Sequence, residues 1–225
     1  AINVIDSCIN QRIKKVIALS TDKACNPVNF YGATKLASDK LFVAANNTVG
    51  KNKIRFSVVR YGNVMGSRGS IIPKFLEQSK TKILNVTDNR MTRFNITLDE
   101  GVNFVLKVIK IMKGGELFIP KIPSIKILDL AKAIAPNTKI KIVGIRPGEK
   151  IHEEMITETD SLNAYEFKDY FVVFQDFKFS ARTNSFKNQI KNLGGKKCSK
   201  KFSYNSQNNK RFLSIREIKK ILGLK

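Results

Sequence analysis

The 225-residue chain is poor in the residues that staple a fold or ligate a metal. It has three cysteines (Cys8, Cys25, Cys198) and no C-x-x-C pair, which supports neither a disulfide framework nor a zinc site. Its single histidine, His152, sits in Ile-His-Glu-Glu-Met without the second histidine of an H-E-x-x-H metal motif. No apolar run approaches the roughly 18 residues of a membrane span. Ala1–Asn10 lacks the charged start and apolar stretch of a signal peptide. These absences argue against a disulfide-rich secreted scaffold, a metal centre and a membrane segment, and they fit a reducing cytoplasm.

Acidic residues are the other shortage, 18 against 41 Lys and Arg, for a formal net charge of +23. A balance this basic invites a nucleic-acid reading, but its composition argues otherwise. The basic residues are 31 Lys and 10 Arg, alongside abundant Asn, Ile and Phe, as AT-rich codon usage produces throughout a chain. Residues 177–225 hold 14 basic residues and one acidic, yet the excess is scattered lysine (Lys196-Lys197, Lys200-Lys201). A nucleic-acid groove needs Arg and aromatics converging on one track. The charge therefore reads as a solvated face or an anionic small-molecule substrate, with no nucleic-acid partner. With 42% hydrophobic residues, a substantial core is available.

Apolar periodicity outlines the elements. Val4, Ile5, Cys8, Ile9 and Ile13 recur at helical spacing, and Lys15–Ser20 is the short continuous apolar run of a buried parallel strand. Pro27–Asn47 carries a long helical pattern, opened by Asn26-Pro27 and closed near Gly50. Phe56–Tyr61 reads as a second strand ending in the glycine-studded loop Gly62–Gly69. Shorter helix and strand signals follow at Ile71–Glu77, Ile83–Val86, Leu98–Met112, Leu117–Ile119, Ile127–Ile134 and Lys139–Val143. This alternation predicts an α/β fold with a parallel sheet. From about Glu158 the pattern loosens into a polar segment with a strand at Tyr170–Phe174 and a final helix at Ser214–Leu222. The chain opens partway through a helix, and no G-x-G-x-x-G turn follows a first strand, so it reads as N-terminally truncated.

Candidate chemistry lies in Ser20-Thr21-Asp22-Lys23-Ala24 and in Tyr31-Gly-Ala-Thr-Lys35. Ligands in open α/β sheets sit beyond the carboxyl ends of strands, which is where Thr21, Asp22 and Lys23 fall. Tyr31 and Lys35, four apart, share a helix face, and an ammonium near a phenol favours the phenolate. A Y-x-x-x-K pair is weak alone; its place after a strand ending in Ser-Thr gives it weight. Bland readings stand beside these. An Asp-Lys pair is commonly a solvated loop, Arg90 and Arg93 are surface charges on a turn, and Arg146-Pro147-Gly148 is a tight turn. Cys25 has no base partner and reads as packing.

The Ser-Thr and Tyr-x-x-x-Lys arrangement resembles the extended short-chain dehydrogenase/reductase superfamily, where these residues serve hydride transfer with a nicotinamide cofactor. Seven segments narrow the likeness: Val16–Ala24, Asn29–Leu36, Phe56–Asn63, Gly66–Ser70, Arg90–Phe94, Pro120–Ser124 and Gly144–Lys150. All are similar to the inverting UDP-N-acetylglucosamine 4,6-dehydratases, which in bacteria open the route to pseudaminic acid on flagellin and other surface glycans. The likeness runs along the whole chain, is densest over 15–155, and returns in Phe202–Ser206 and Asn209.

The resemblance implies the C-terminal half of a Rossmann-type parallel sheet plus a smaller α/β substrate-binding region. Residues 1–70 would be the remainder of an NADP-binding domain. Residues 71–225 would be mainly substrate-binding, with segments returning to the sheet and a basic extension. It implies a lyase acting on UDP-N-acetylglucosamine with NADP, as a homo-oligomer, with no metal. In the family reaction Tyr31 takes the C4 hydroxyl proton, Lys23 removes the C5 proton, and Asp22 protonates the departing C6 hydroxyl. Thr21 bonds the C4 oxygen, and Lys35 holds the nicotinamide ribose. Val64, Met65, Gly66, Ser67 and Arg68 line the cofactor with Tyr31 and Lys35, while Asn63, Arg93, Arg146 and Glu149 bind substrate. Desolvation favours the neutral Lys23 and Asp22 this requires, whereas their adjacency opposes it.

Retaining dehydratases typically carry Met at the position of Tyr31, and the superfamily's 4-epimerases generally lack the Asp22-Lys23 pair. A non-catalytic remnant without the cofactor's adenosine half is the competing reading. Two departures stand out: Asn95 replaces an aromatic, usually Trp, and Lys74 replaces an apolar or aromatic residue after Pro73.

Overall fold

A computed structural model describes residues 1–49, 54–174 and 183–224. Helix α1 (Ile2–Asn10) leads into strand β1 (Lys15–Thr21), a single 3-10 turn at Asp22–Ala24, helix α2 (Phe30–Thr48) and strand β2 (Arg55–Tyr61). Next come β3 (Asn63–Val64), α3 (Ile71–Gln78), β4 (Ile83–Val86), β5 (Thr92–Ile96), α4 (Leu98–Ile111) and β6 (Glu116–Pro120). Then β7 (Ser124–Lys126), α5 (Ile127–Ile134), β8 (Lys139–Ile142), β9 (Glu154–Ile156), α6 (Glu158–Ser161) and β10 (Ala164–Glu166) follow. The chain finishes with β11 (Tyr170–Phe174), α7 (Thr183–Asn192), β12 (Lys196–Lys197), β13 (Tyr204–Asn205) and α8 (Ile215–Leu222). None of the described helices is long and apolar enough to cross a membrane.

The elements gather into two units interleaved along the sequence. One comprises 1–61, 99–121 and 155–203, the other 62–98, 122–154 and 204–225. The first holds a six-stranded sheet in the order β1-β2-β6-β11-β10-β12. Strands β1, β2 and β6 run parallel, with Lys15 opposite Arg55 and Thr21 opposite Tyr61. Strand β11 is antiparallel to β6, and β10 is antiparallel to both β11 and β12. The sheet is therefore mixed, where sequence alternation predicted a parallel one. The reason is local: β10 and β11 are joined by only three residues, too few for the crossover that parallel pairing requires. Helix α4 lays Phe104 and Val108 against a core of Val59, Phe118, Val172, Phe174 and Phe186.

Two buried polar residues lock this sheet to its surroundings. Asn46 on α2 accepts from Phe56 N at 3.0 Å and donates to Phe56 O at 2.8 Å, a two-way clasp onto β2. Glu116, fully buried, accepts from Ser57 Oγ at 2.6 Å, Lys113 N at 2.6 Å and Gly114 N at 2.7 Å. Replacing Glu116 by Ala strands these donors, at about 1–3 kcal/mol for each buried group left unpaired. Glu116→Ala is expected to lower the urea midpoint by the equivalent of about 2–3 kcal/mol at unchanged slope. An unchanged midpoint would show that water replaces the carboxylate.

The second unit is built from short pieces. Strands β3, β5 and β7 form one small sheet, and β4 pairs with β8 in another. Their core is Ile72, Phe75, Leu84, Val86, Ile125, Leu130 and Ile218. Helix α8 has a capping box, Ser214 with Glu217, and ends on Gly223 at φ 66°, a left-handed stop that favours glycine.

Helix α2 starts at Phe30 instead of Pro27 because Asn29 caps it, its side chain accepting from Gly32 N at 2.8 Å. Gly50, the expected end of that helix, lies outside the described residues. The Arg90–Arg93 stretch, read as a turn, enters strand β5 at Thr92. The loose segment after Glu158 contains β10, α7 and β12 as well as the anticipated β11.

Candidate active site

In the first unit, β1 delivers Thr21 in extended conformation (φ −138°, ψ 155°) to cap the 3-10 turn of Asp22–Ala24. Thr21 Oγ1 accepts from Lys23 N at 3.3 Å and donates to Asp22 Oδ1 at 2.9 Å. Lys23 Nζ donates to that same Oδ1 at 2.8 Å. Asp22 is 0% exposed, and its other oxygen, Oδ2, is buried with no hydrogen-bond partner. An orphaned carboxyl oxygen is costly to bury. The turn thus buries one carboxyl oxygen that no protein group satisfies.

Helix α2 presents Tyr31 in its first turn, 52% exposed, with Lys35 one turn later and its Nζ 5.6 Å from the ring centroid. Between them Gly32 makes a close approach that nothing in the sequence pattern signals. A Cβ there would overlap the Lys23 carbonyl oxygen and stand 2.9 Å from Pro27 Cβ. Glycine thus lets the helix seat directly on the Asp22–Lys23 turn. Thr21, Asp22 and Lys23 are bonded together, and Gly32 seats the first turn of α2, which carries Tyr31, against them.

The remaining candidates lie in the second unit. Asn63 and Val64 form β3, paired parallel with Asn95 and Ile96 of β5, and Met65 N donates to Ile96 O at 2.9 Å. The chain then turns twice, Ser67 N to Val64 O at 3.2 Å and Ser70 N to Ser67 O at 3.1 Å. Gly66 (φ 73°) and Gly69 (φ 75°) supply the left-handed residues. Arg68 at the tip is exposed.

Arg93 is built into its scaffold. Its guanidinium donates to the carbonyls of Thr92 at 2.7 Å, Ile151 at 3.0 Å and Lys150 at 2.9 Å, and its Nε lies 3.7 Å from Glu153 Oε1. It ties β5 to the segment just after Arg146–Glu149. That motif is a turn, Glu149 N donating to Arg146 O at 3.1 Å, and Arg146 is exposed on it. Arg90 is clamped by Asp88 through Nε at 3.0 Å and Nη2 at 2.8 Å, which holds the Asp88 carboxyl down at about 2.

His152 Nδ1 meets Thr92 Oγ1 at 2.8 Å, and Thr92 Oγ1 meets Ser206 Oγ at 2.7 Å. Burial, then the charges of Arg93 and Arg90, lower the His152 pKa from its ordinary 6.5. A histidine depressed in the folded state contributes stability above its unfolded pKa, lost as pH falls through the folded value. As the sole histidine, it gives one ring titration by NMR. The midpoint is expected below 6.5 in the folded protein and near 6.5 in urea; a folded midpoint at or above 6.5 contradicts the burial argument.

The profile of the polysaccharide biosynthesis proteins matches residues 1–175. The chain belongs to that family. Within it, the chain is 55% identical to the inverting UDP-N-acetylglucosamine 4,6-dehydratase of Campylobacter jejuni subsp. jejuni serotype O:2, over 98% of this chain and 67% of that protein. A UDP-glucose 4-epimerase of Rickettsia canadensis is 37% identical, over 98% of this chain and 64% of the relative. Among solved structures, Pen from Bacillus thuringiensis superposes with a TM-score of 0.83 at 36% identity, covering 98% of this chain and 65% of that one. The chain thus spans about two thirds of the length of these relatives. Its α/β fold is also that of a Rossmann-type dTDP-glucose 4,6-dehydratase from Bacillus anthracis, with a TM-score of 0.54 at 14% identity over 65% of this chain and 55% of that one.

Proposed function

We propose that the protein to which this chain belongs dehydrates UDP-N-acetylglucosamine across C5 and C6, with inversion at C5, using NADP. The observation that carries the reading is the Thr21–Asp22–Lys23 turn, with its orphaned carboxyl oxygen, seated against a helix bearing Tyr31 and Lys35. A nicotinamide bound there would accept the C4 hydride and later return it to C6. Tyr31 and Lys35 would hold its ribose end.

Each chain residue then has one task. Tyr31, as phenolate, takes the C4 hydroxyl proton while Thr21, turning its hydroxyl away from Asp22 Oδ1, donates to the C4 oxygen. The C4 ketone acidifies C5–H, which Lys23 removes, and Asp22 protonates the leaving C6 oxygen. The 2.8 Å contact between Lys23 and Asp22 supports this division. Moving one proton from Nζ to the carboxylate converts the ion pair into a neutral amine and a carboxylic acid, the two forms required. Covering the partly exposed Lys23 with sugar favours that uncharged tautomer, because desolvation penalises charge and Asp22 is buried already. After Lys23 gains the C5 proton and Asp22 loses its own, the ion pair is restored. C5 is then reprotonated from the opposite face, and release of the O4 proton from Tyr31, directly or through water, supplies the matching proton and regenerates the phenolate. Arg146 and Glu149 are assigned to the UDP portion, with Asn63 toward the sugar; Arg93 serves by holding the carbonyls of Lys150 and Ile151. The product would be a nucleotide-sugar step toward pseudaminic acid.

The test is incubation of the full-length protein with UDP-N-acetylglucosamine and NADP. A product lighter by one water, with inverted C5 by NMR, is expected. Retained C5 configuration would make it a retaining dehydratase, and a product of unchanged mass would make it a 4-epimerase.

A further inference from the structure

We propose that Ser20, Asp39 and Arg60 form a positioning device for the Tyr31–Lys35 pair, an assignment that rests on the proposed dehydration. Asp39 lies four residues beyond Lys35 and eight beyond Tyr31 on α2, so the three share one helical face. Ser20 directly precedes Thr21 on β1, and Arg60 stands opposite it in the register of β2. Ser20 Oγ donates to Asp39 Oδ2 at 2.8 Å, and Arg60 Nη2 donates to the same oxygen at 3.0 Å. Arg60 Nη1 reaches the Met155 carbonyl at 3.0 Å. Asp39 is 3% and Arg60 2% exposed.

Stability alone is a poor reason for such a cluster. A buried ion pair adds little over apolar residues of the same volume, and here Arg60 Nε is buried with no hydrogen-bond partner. The cluster's contribution is geometric. One carboxyl oxygen on the helix is held from two neighbouring strands, at the residue before Thr21 and the residue before Tyr61. That fixes both the rotation of α2 about its axis and its slide along β1. Gly32 sets how closely the helix approaches the catalytic turn; Asp39 sets its register. Tyr31 and Lys35 inherit both.

Ser20→Ala is the decisive variant because it leaves the Asp39–Arg60 pair intact. In the full-length protein it is expected to keep a near-native melting temperature while kcat for UDP-N-acetylglucosamine falls about tenfold to a hundredfold, KM unchanged. Ser20→Thr, which restores a hydroxyl, is expected to recover most of the loss. The double variant Asp39→Leu with Arg60→Met is expected to fold, since apolar replacement of a buried pair is commonly neutral, yet to keep the low kcat. A readout independent of turnover is the ring-carbon NMR signal of Tyr31 in tyrosine-labelled protein, expected to move in Ser20→Ala. Wild-type kcat in Ser20→Ala and in the double variant would overturn the proposal. If the wild-type protein itself fails to dehydrate the sugar, the functional reading falls, and an unmoved Tyr31 signal then overturns the positioning assignment separately.

Discussion

Lys23→Ala is expected to abolish dehydration, with a loss of roughly 10²–10⁴-fold in product formation, the range for removing a general base. The loss should be selective. Oxidation at C4 depends on Tyr31 and Thr21, which the substitution leaves in place, so a single turnover should still yield reduced nicotinamide. Release of water should stop, because nothing then takes the C5 proton. Part of the effect has a second origin: without the ammonium, buried Asp22 loses the partner at 2.8 Å that balances its charge. Lys23→Arg separates the two, restoring a cation that cannot act as a base at neutral pH. Melting temperature should recover in Lys23→Arg while dehydration stays absent. Dehydration at the wild-type rate in either variant would remove Lys23 from the mechanism.

Gly32→Ala is expected to destabilise the protein and to lower turnover by about a hundredfold, against the ordinary direction of this substitution. Within a helix, Ala is favoured over Gly by roughly 1 kcal/mol. Here the added methyl would overlap a backbone oxygen, that of Lys23, which cannot swing aside like a flexible side chain. Overpacking of this kind costs about 1–3 kcal/mol, enough to reverse the sign. Either α2 lifts from the turn or the turn deforms, and both separate Tyr31 from Thr21. A misplacement near 1 Å is worth about a hundredfold in rate. Urea denaturation and steady-state turnover measure the two effects, and a stabilised, fully active Gly32→Ala would show that the contact is slack.

Much of the fold is legible in the sequence, and so is where the candidate site residues fall within it. The apolar Lys15–Ser20 run marks β1, and ligands gather just beyond the end of a buried strand in an α/β sheet, so Thr21–Lys23 stand out. The four-residue spacing of Tyr31 and Lys35 is enough to put both on one helix face. Asp39 continues the same spacing, but nothing in a sequence announces that a lone aspartate is buried or that Arg60 faces it across two strands. Gly32 looks like filler inside a motif; its role depends on a carbonyl nine residues earlier. Strands β5 and β7 are three to five residues long and carry Thr, Arg, Asn and Ser, so no alternation marks them. Arg93 reads as a loose cation because charge is visible in sequence and engagement with carbonyls is not.

The two margins of the six-stranded sheet differ in a way that bears on handling the protein. One margin, β12, is Lys196-Lys197, two exposed charges of the kind that discourage strand addition. The other end of the strand order, β1, reads Lys-Val-Ile-Ala-Leu-Ser-Thr and pairs with β2 among the described residues. A two-residue strand of exposed lysines gives a further chain little to pair with, so the β12 margin resists strand addition. The scattered lysines of the basic segment gain a physical use there, as gatekeepers that keep one border of the sheet from growing.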